Sequence, residues 1–210
     1  MNRKHWTLLL ALGLLLSFSL ALALAQPPFI PQADSSGDGL IMDLVSSGPN
    51  SLPANGDSYW SSLSSDGQLI VFSSDANDLV ADDTNGVTDI FIHDRTADTT
   101  TRISLAPDGS EANGISQWAS LSADGRFVTF YSEATNLVPG LTGVFLHDRQ
   151  TGATSHIAAG GTPVISADGG FIAFHSDASN LVPGDTNDKP DIFVFDRQSA
   201  EITRVSVTSD

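Results

Sequence analysis

Hydrophobic and polar residues alternate along this chain in short blocks of strand length, and the blocks come in ordered sets. Leu69-Ile70-Val71-Phe72 is apolar on both sides, Ile70 and Phe72 pointing one way and Leu69 and Val71 the other. A strand with two apolar faces must be covered on both. Ile90-Phe91-Ile92-His93-Asp94-Arg95 predicts a further strand that ends on an acid–base pair. Thr101-Arg102-Ile103-Ser104-Leu105 alternates strictly, as an outer, half-exposed strand does. In front of the set, the segment around Trp60–Ser64 is small and Ser-rich, which suits a crowded inner strand. Asp66-Gly67 supplies a tight hairpin between the first two strands, because Asp and Gly tolerate the positive φ of such turns. Past the first 25 residues no stretch has helical periodicity, so the expected class is all-β.

The set recurs. Leu63-Ser64-Ser65-Asp66-Gly67 is matched by Leu121-Ser122-Ala123-Asp124-Gly125 and by Ile165-Ser166-Ala167-Asp168-Gly169. The Ile-Phe block is matched by Val144-Phe145-Leu146-His147-Asp148-Arg149 and Ile192-Phe193-Val194-Phe195-Asp196-Arg197. The copies lie 58 and then 44 residues apart, around the length of a β-propeller blade. Three four-stranded antiparallel blades are therefore predicted, at about 58–105, 116–158 and 160–207. Shifting by 58 residues also pairs Val45-Ser46 with Ile103-Ser104 and Ala54-Asn55-Gly56 with Ala112-Asn113-Gly114. Residues 40–46 thus read as an extra N-terminal outer strand. Closed propellers have four to eight blades, so the expectation is a partial propeller. It reads as a truncated piece of a larger ring, or as a half-ring that self-associates.

The Asp-Gly turn, the aliphatic-x-Phe strand and the Ile-Phe-Val-x-Asp strand together resemble the WD40-like propeller repeat of the TolB type. The resemblance covers about residues 40–210. It departs in one detail: the family often carries Pro before Asp-Gly, where Ser65, Ala123 and Ala167 stand here. The Trp-Asp dipeptide of true WD40 repeats is absent. The resemblance implies a fold, and propellers host enzymes, binding platforms and scaffolds alike.

Charge and the N-terminal segment narrow the setting. Arg3, Lys4 and His5 precede an apolar run from Trp6 to Ala25 that closes on Ala23-Leu24-Ala25, the pattern of a cleaved signal peptide spanning 1–25. Residues 26–39 read as a flexible linker. The expected location is extracytoplasmic, secreted or periplasmic, after cleavage near Ala25/Gln26. No cysteine is present, which excludes a lipoprotein anchor and a disulfide framework. The net charge of −16 repels phosphate backbones and anionic headgroups and argues against nucleic-acid binding.

The candidate chemistry lies in the loops joining second and third strands. Asp83, Asn85 and Asp89, and again Asp185, Asn187 and Asp191, share the pattern Asp-x-Asn-x-x-x-Asp. Oxygen ligands at positions one, three and seven of a turning loop are able to converge on Ca²⁺. The competing reading makes the leading Asp an Asx-turn residue and the trailing Asp a strand opener. The middle blade lacks this loop. The Asp-Arg pairs Asp94-Arg95, Asp148-Arg149 and Asp196-Arg197 recur in every blade and read as a turn or strand-end device. His93, His147, His156 and His175 read as surface or packing residues. Trp60 and Trp118, with Thr162 in the third copy, recur at the start of strand one and read as axial packing, with a sugar-stacking platform as the alternative. Catalytic residues are not expected: there is no Gly-x-Ser-x-Gly, His-Glu-x-x-His or phosphate-binding glycine loop.

The long polar loops Asn77–Asp89 and Ala106–Gln117 fall on one face, where recognition of a protein or glycan partner is expected. The function read from the sequence is an exported, non-enzymatic binding or scaffold module, stabilised by calcium. The alternative is the propeller domain of a secreted hydrolase, a peptidase or glycosidase.

Overall fold

The computed structural model describes residues 44–48, 52–187 and 189–208; the leader at 1–25 and the linker at 26–39 lie outside them. The described residues form twelve strands. These are β1 (Ser58–Leu63), β2 (Leu69–Ser74), β3 (Asp89–Asp94), β4 (Thr99–Arg102), β5 (Ser116–Leu121), β6 (Phe127–Ser132), β7 (Gly143–Asp148), β8 (Ala153–Ala158), β9 (Gly161–Ile165), β10 (Phe171–Ser176), β11 (Asp191–Asp196) and β12 (Glu201–Arg204). They pair in chain order into three separate four-stranded antiparallel sheets. These are the three predicted blades.

Short side chains close each turn. At the β1–β2 hairpin the Ser64 hydroxyl donates to Asp66 Oδ1 at 2.6 Å, and the same oxygen accepts the Gln68 N–H at 3.0 Å. Gly67 follows with a φ of 67°. Ser122–Asp124 (2.6 Å) and Ser166–Asp168 (2.5 Å) repeat the device in the other blades. The recurring Asp-Arg pair is a strand-end device, as expected. Asp94, Asp148 and Asp196 accept backbone N–H groups of the next turn, at 2.8, 2.9 and 2.8 Å. Arg95, Arg149 and Arg197 donate to the carbonyls of Gly67, Gly125 and Gly169, at 3.3, 2.7 and 2.6 Å.

Two apolar layers join the blades. Val71, Ile90, Ile92 and Ile103 of the first blade bury themselves against Leu121, Val128, Phe130 and Phe145 of the second. Phe127, Val144 and Leu146 meet Ile165, Ile172, Phe174 and Phe193 of the third. A backbone ladder runs beside them, Ser65 N–H to Ala123 O at 2.8 Å and Ala123 N–H to Ala167 O at 2.9 Å.

Two expectations need correction in detail. The alternating outer strands were expected to reach Leu105 and Val207, whereas they end at Arg102 and Arg204. The reason is chemical: Ile90 N–H donates to the Ser104 hydroxyl and Ile192 N–H to the Ser206 hydroxyl, so a side chain replaces the ladder bond. Of the extra outer strand expected at 40–46, residues 40–43 lie outside the described residues and 44–46 are irregular. The 58-residue correspondence itself holds, because the bridge Ser47–Pro53 repeats the bridge Leu105–Glu111. Among the described residues no helix is long and apolar enough to cross a membrane.

Candidate functional site

The structure brings Asp83, Asn85 and Asp89 together, and what they surround is an arginine. Arg102 Nη1 lies 3.1 Å from Asp83 Oδ1, 3.2 Å from Asp89 Oδ2 and 2.8 Å from Glu111 Oε1. Its Nη2 donates to the Asp82 carbonyl at 3.1 Å. Asn85 Nδ2 donates to Asp89 Oδ2 at 2.7 Å, and the Ser104 hydroxyl donates to Asp89 Oδ1. Glu111 accepts from the Thr84 N–H and hydroxyl, at 2.8 and 2.6 Å. Burial pushes the Asp83 and Asp89 carboxyls up, with Arg102 pulling the other way. Glu111 is drawn down to about 2, chiefly by the Thr84 hydroxyl and N–H.

The third blade repeats the cradle. Arg204 Nη1 lies 3.0 Å from Asp185 Oδ1 and 3.3 Å from Asp191 Oδ2. Asn187 Nδ2 donates to Asp191 Oδ2 at 3.0 Å, and the Ser206 hydroxyl donates to Asp191 Oδ1 at 2.5 Å. That hydroxyl is the main influence holding the Asp191 carboxyl below its usual value. In the middle blade all three partners change together. Strand register places Gly143 where Asp89 and Asp191 stand, and His156 where Arg102 and Arg204 stand. Ala158 takes the serine position. There His156 Nε2 pairs with the Thr142 carbonyl at 2.9 Å instead.

This donor set does not fit a calcium ion. The carboxylate oxygens already accept from guanidinium, hydroxyl and amide groups, and the centre of the cluster carries a fixed positive charge. Among the described residues no group of three or more His, Asp or Glu side chains is placed to hold a metal. His93 and His147 pair through Nδ1 with the hydroxyls of Thr100 and Thr154, at 3.1 and 3.0 Å, as packing residues. The arginines were missed in the sequence. Their signature was Thr-Arg-Ile-Ser and Thr-Arg-Val-Ser, present only in the blades that own an acidic loop.

A second constellation lies at the inner edge of the same face. Each inner strand carries a register slip, and beside it Trp60, Trp118 and Thr162 adopt φ values of 53°, 57° and 44°. Bulky residues rarely take this left-handed conformation, which costs on the order of 1–3 kcal/mol. A bulge re-aims its side chain, and here the indoles meet. The Trp60 and Trp118 rings lie edge-on with centroids 5.7 Å apart, and Trp118 lies 5.3 Å from Tyr131. Trp60 remains 47% exposed, so axial packing accounts for only part of its role. Beside Trp118 opens a pocket of about 380 Å³, lined by Tyr131, Gly161, His175, Asp177 and Pro190 among others. A Cβ on Gly161 would meet the His175 ring at 2.9 Å, so a larger residue there would displace that ring. Thr162 Oγ1 and His175 Nδ1 are 2.7 Å apart. Larger hollows of about 570 and 820 Å³ lie along the outer rim, and neither is lined by Trp, Tyr or Phe.

Sheets of four antiparallel strands, stacked face to face with the first strand innermost, define a β-propeller architecture. No protein-family model matches the sequence, and no curated protein matches it. Solved structures do. The chain is similar to the β-propeller domain of the Trilobed protease from Pyrococcus furiosus, with a TM-score of 0.50 and 15% identity over 71% of this chain and 42% of that one. It is also similar to TolB from Acinetobacter baumannii (TM-score 0.48, 20% identity, 75% and 33%) and to a TolB from Agrobacterium tumefaciens (0.49, 19%, 70% and 48%). The chain thus spans less than half the length of each. The fold read from the repeat is the fold observed: three four-stranded antiparallel blades of a β-propeller.

Proposed function

We propose that this chain is an exported, non-enzymatic propeller module that binds a protein or glycan partner through the aromatic mouth at the inner edge of its long-loop face. The observation that carries the reading is Trp60. A large indole stands half exposed, on strained backbone, in a row with Trp118 and Tyr131 beside a polar-rimmed pocket. Exposed aromatic anchors give stacking area at low entropy cost and dominate binding energy where they occur. The net charge of −16 favours a neutral or basic partner. The apolar run ending at Ala25 supports export. Calcium has no part in this reading, since the acidic loops serve the arginines.

The hydrolase alternative rests on the Thr162–His175 pair, which has the spacing of a nucleophile and its base. One experiment separates the two. Immobilised chain is offered envelope extract, and eluates are compared for wild type, Trp60→Ala and Thr162→Ala, with circular dichroism to check folding. The binding reading expects a partner retained by wild type and Thr162→Ala and lost with Trp60→Ala, and quenching of tryptophan fluorescence on adding the purified partner. Turnover of chromogenic peptides or glycosides that disappears in Thr162→Ala would sink it.

A further inference from the structure

Equivalent positions in the three blades define two faces for which the described residues supply no neighbouring blade. On the trailing side, Ile90 and Val144 are 0% exposed, but their equivalent Ile192 is 44% exposed. Phe127 is 8% exposed and Phe171 47%; Ile103 is 6% and Val205 49%. Val164, Ala173 and Val194 line up across the same sheet, so the open residues form one continuous apolar surface. On the leading side of the first blade the mirror situation holds. Leu121 and Ile165 are 6% and 7% exposed inside the two blade–blade layers, whereas their equivalent Leu63 is 59% exposed.

We infer that the trailing face of the third blade is a self-association surface that takes the leading face of the first blade of a second copy. The template is in the chain itself. Leu121 sits among Val71, Ile90 and Ile92, and Ile165 among Phe127, Val144 and Leu146. By the same register, Leu63 of the second copy sits on Phe171, Ile192 and Val194. The backbone ladder extends in the same sense. Among the described residues the Ala167 N–H has no acceptor, and the Ser65 carbonyl stands at the position through which Ala123 and Ala167 accept the preceding blade. The contact is head-to-tail, and head-to-tail contacts either close into a ring or run on as a filament. Two copies bring six blades, within the four to eight that closed propellers hold, so the expected product is a closed dimer in which the contact occurs twice. The inference is independent of the partner-binding reading above, because it uses the blade faces and not the aromatic mouth.

The test is sedimentation equilibrium on the full chain and on Leu63→Asp and Ile192→Asp. Both residues are exposed in the single chain, so folding of the variants is checked simply by circular dichroism. Wild type is expected at twice the chain mass at micromolar concentration. Each variant alone is expected at the single-chain mass, with self-association weakened at least tenfold. The two variants mixed restore one of the two contacts, between the intact trailing face of Leu63→Asp and the intact leading face of Ile192→Asp. The mixture is therefore expected to form dimers more weakly than wild type and more tightly than either variant alone. A wild type that stays at single-chain mass, a series of ever larger species, or variants that fail to complement each overturn the inference.

Discussion

Arg102 and His156 occupy one position of the blade repeat, opposite Phe91 and Phe145 on the neighbouring strand, and each closes a different loop. Arg102 reaches into an acidic loop and neutralises it; His156 bonds the Thr142 carbonyl of a short loop that has no acids to neutralise. Arginine, serine and the acidic loop are present together or absent together. The acidic residues are thus half of a structural device whose other half arrives from the outer strand.

Removing the arginine should therefore cost far more than its surface neighbours. Arg102→Met leaves Asp83 and Asp89 buried without their cation, and breaking a buried ion pair from one side costs about 3–5 kcal/mol. Urea denaturation should show this loss, and adding Asp83→Asn and Asp89→Asn should restore part of it. Arg204→Met should cost less, because the Arg204 side chain is 21% exposed against 6% for Arg102. Equal losses at the two sites would contradict the burial argument.

Calcium supplies a second check. Millimolar CaCl₂ should leave the melting temperature of the wild type unchanged. In Arg102→Ala the carboxylates of Asp83, Asp89 and Glu111 surround an empty centre of hard oxygen donors. Calcium should then stabilise the variant by several degrees, since a ligand at 100 times its Kd adds about 2.7 kcal/mol. A wild type that gains as much as the variant would restore the metal reading.

Glu111 should be one source of acid sensitivity, beside Asp148, whose carboxyl the Arg126 side chain holds well below its usual value. The folded value of Glu111, about 2, lies below its ordinary 4.5, so its contribution is present above 4.5 and is lost as pH falls towards about 2. Asp83 and Asp89 are shifted upwards, so the folded state holds their protons longer and their contribution runs the other way, weakening as pH rises past their ordinary 3.8. Glu111→Gln removes the first effect and leaves the second. Between about pH 2 and 4.5, stability of the wild type should climb more steeply than that of Glu111→Gln. Parallel curves would mean that the Thr84 contacts do not persist in solution.

The blades were legible in the sequence because their devices are local. Ser64, Asp66 and Gly67 build a hairpin within four residues, so the motif and the structure are nearly one fact. The acidic loops suggested calcium in the sequence because carboxylates at that spacing suit a metal and a guanidinium equally, and the guanidinium is the partner the structure places among them. Arg102 is 13 residues beyond Asp89 and meets it only once β3 and β4 pair. The left-handed backbone of Trp60 and Trp118 was hidden too, since nothing in a tryptophan announces positive φ; only the register slip of the inner strand imposes it. The ends of the outer strands depended on whether the Ser104 hydroxyl or a backbone group took the Ile90 N–H, which alternation does not reveal.

The residue before each Asp-Gly turn yields the last prediction. A proline at this position tests what the backbone N–H there contributes, since proline fixes φ at about −65° and carries no N–H. The Ala123 N–H is spent on the Ala167 carbonyl at 2.9 Å, joining two blades. Ala123→Pro should therefore lose about 1 kcal/mol, the net worth of such a bond, and more where the Ala167 carbonyl stays dry. Ala167→Pro, made in the Leu63→Asp background so that no second copy engages the trailing face, removes an N–H without an acceptor among the described residues. It should be neutral, or gain about 0.4–1 kcal/mol by restricting the unfolded chain. Urea midpoints of the two proline variants, measured in that one background, decide the matter. If both fall equally, the loss comes from strain in the turn and the ladder between blades contributes nothing.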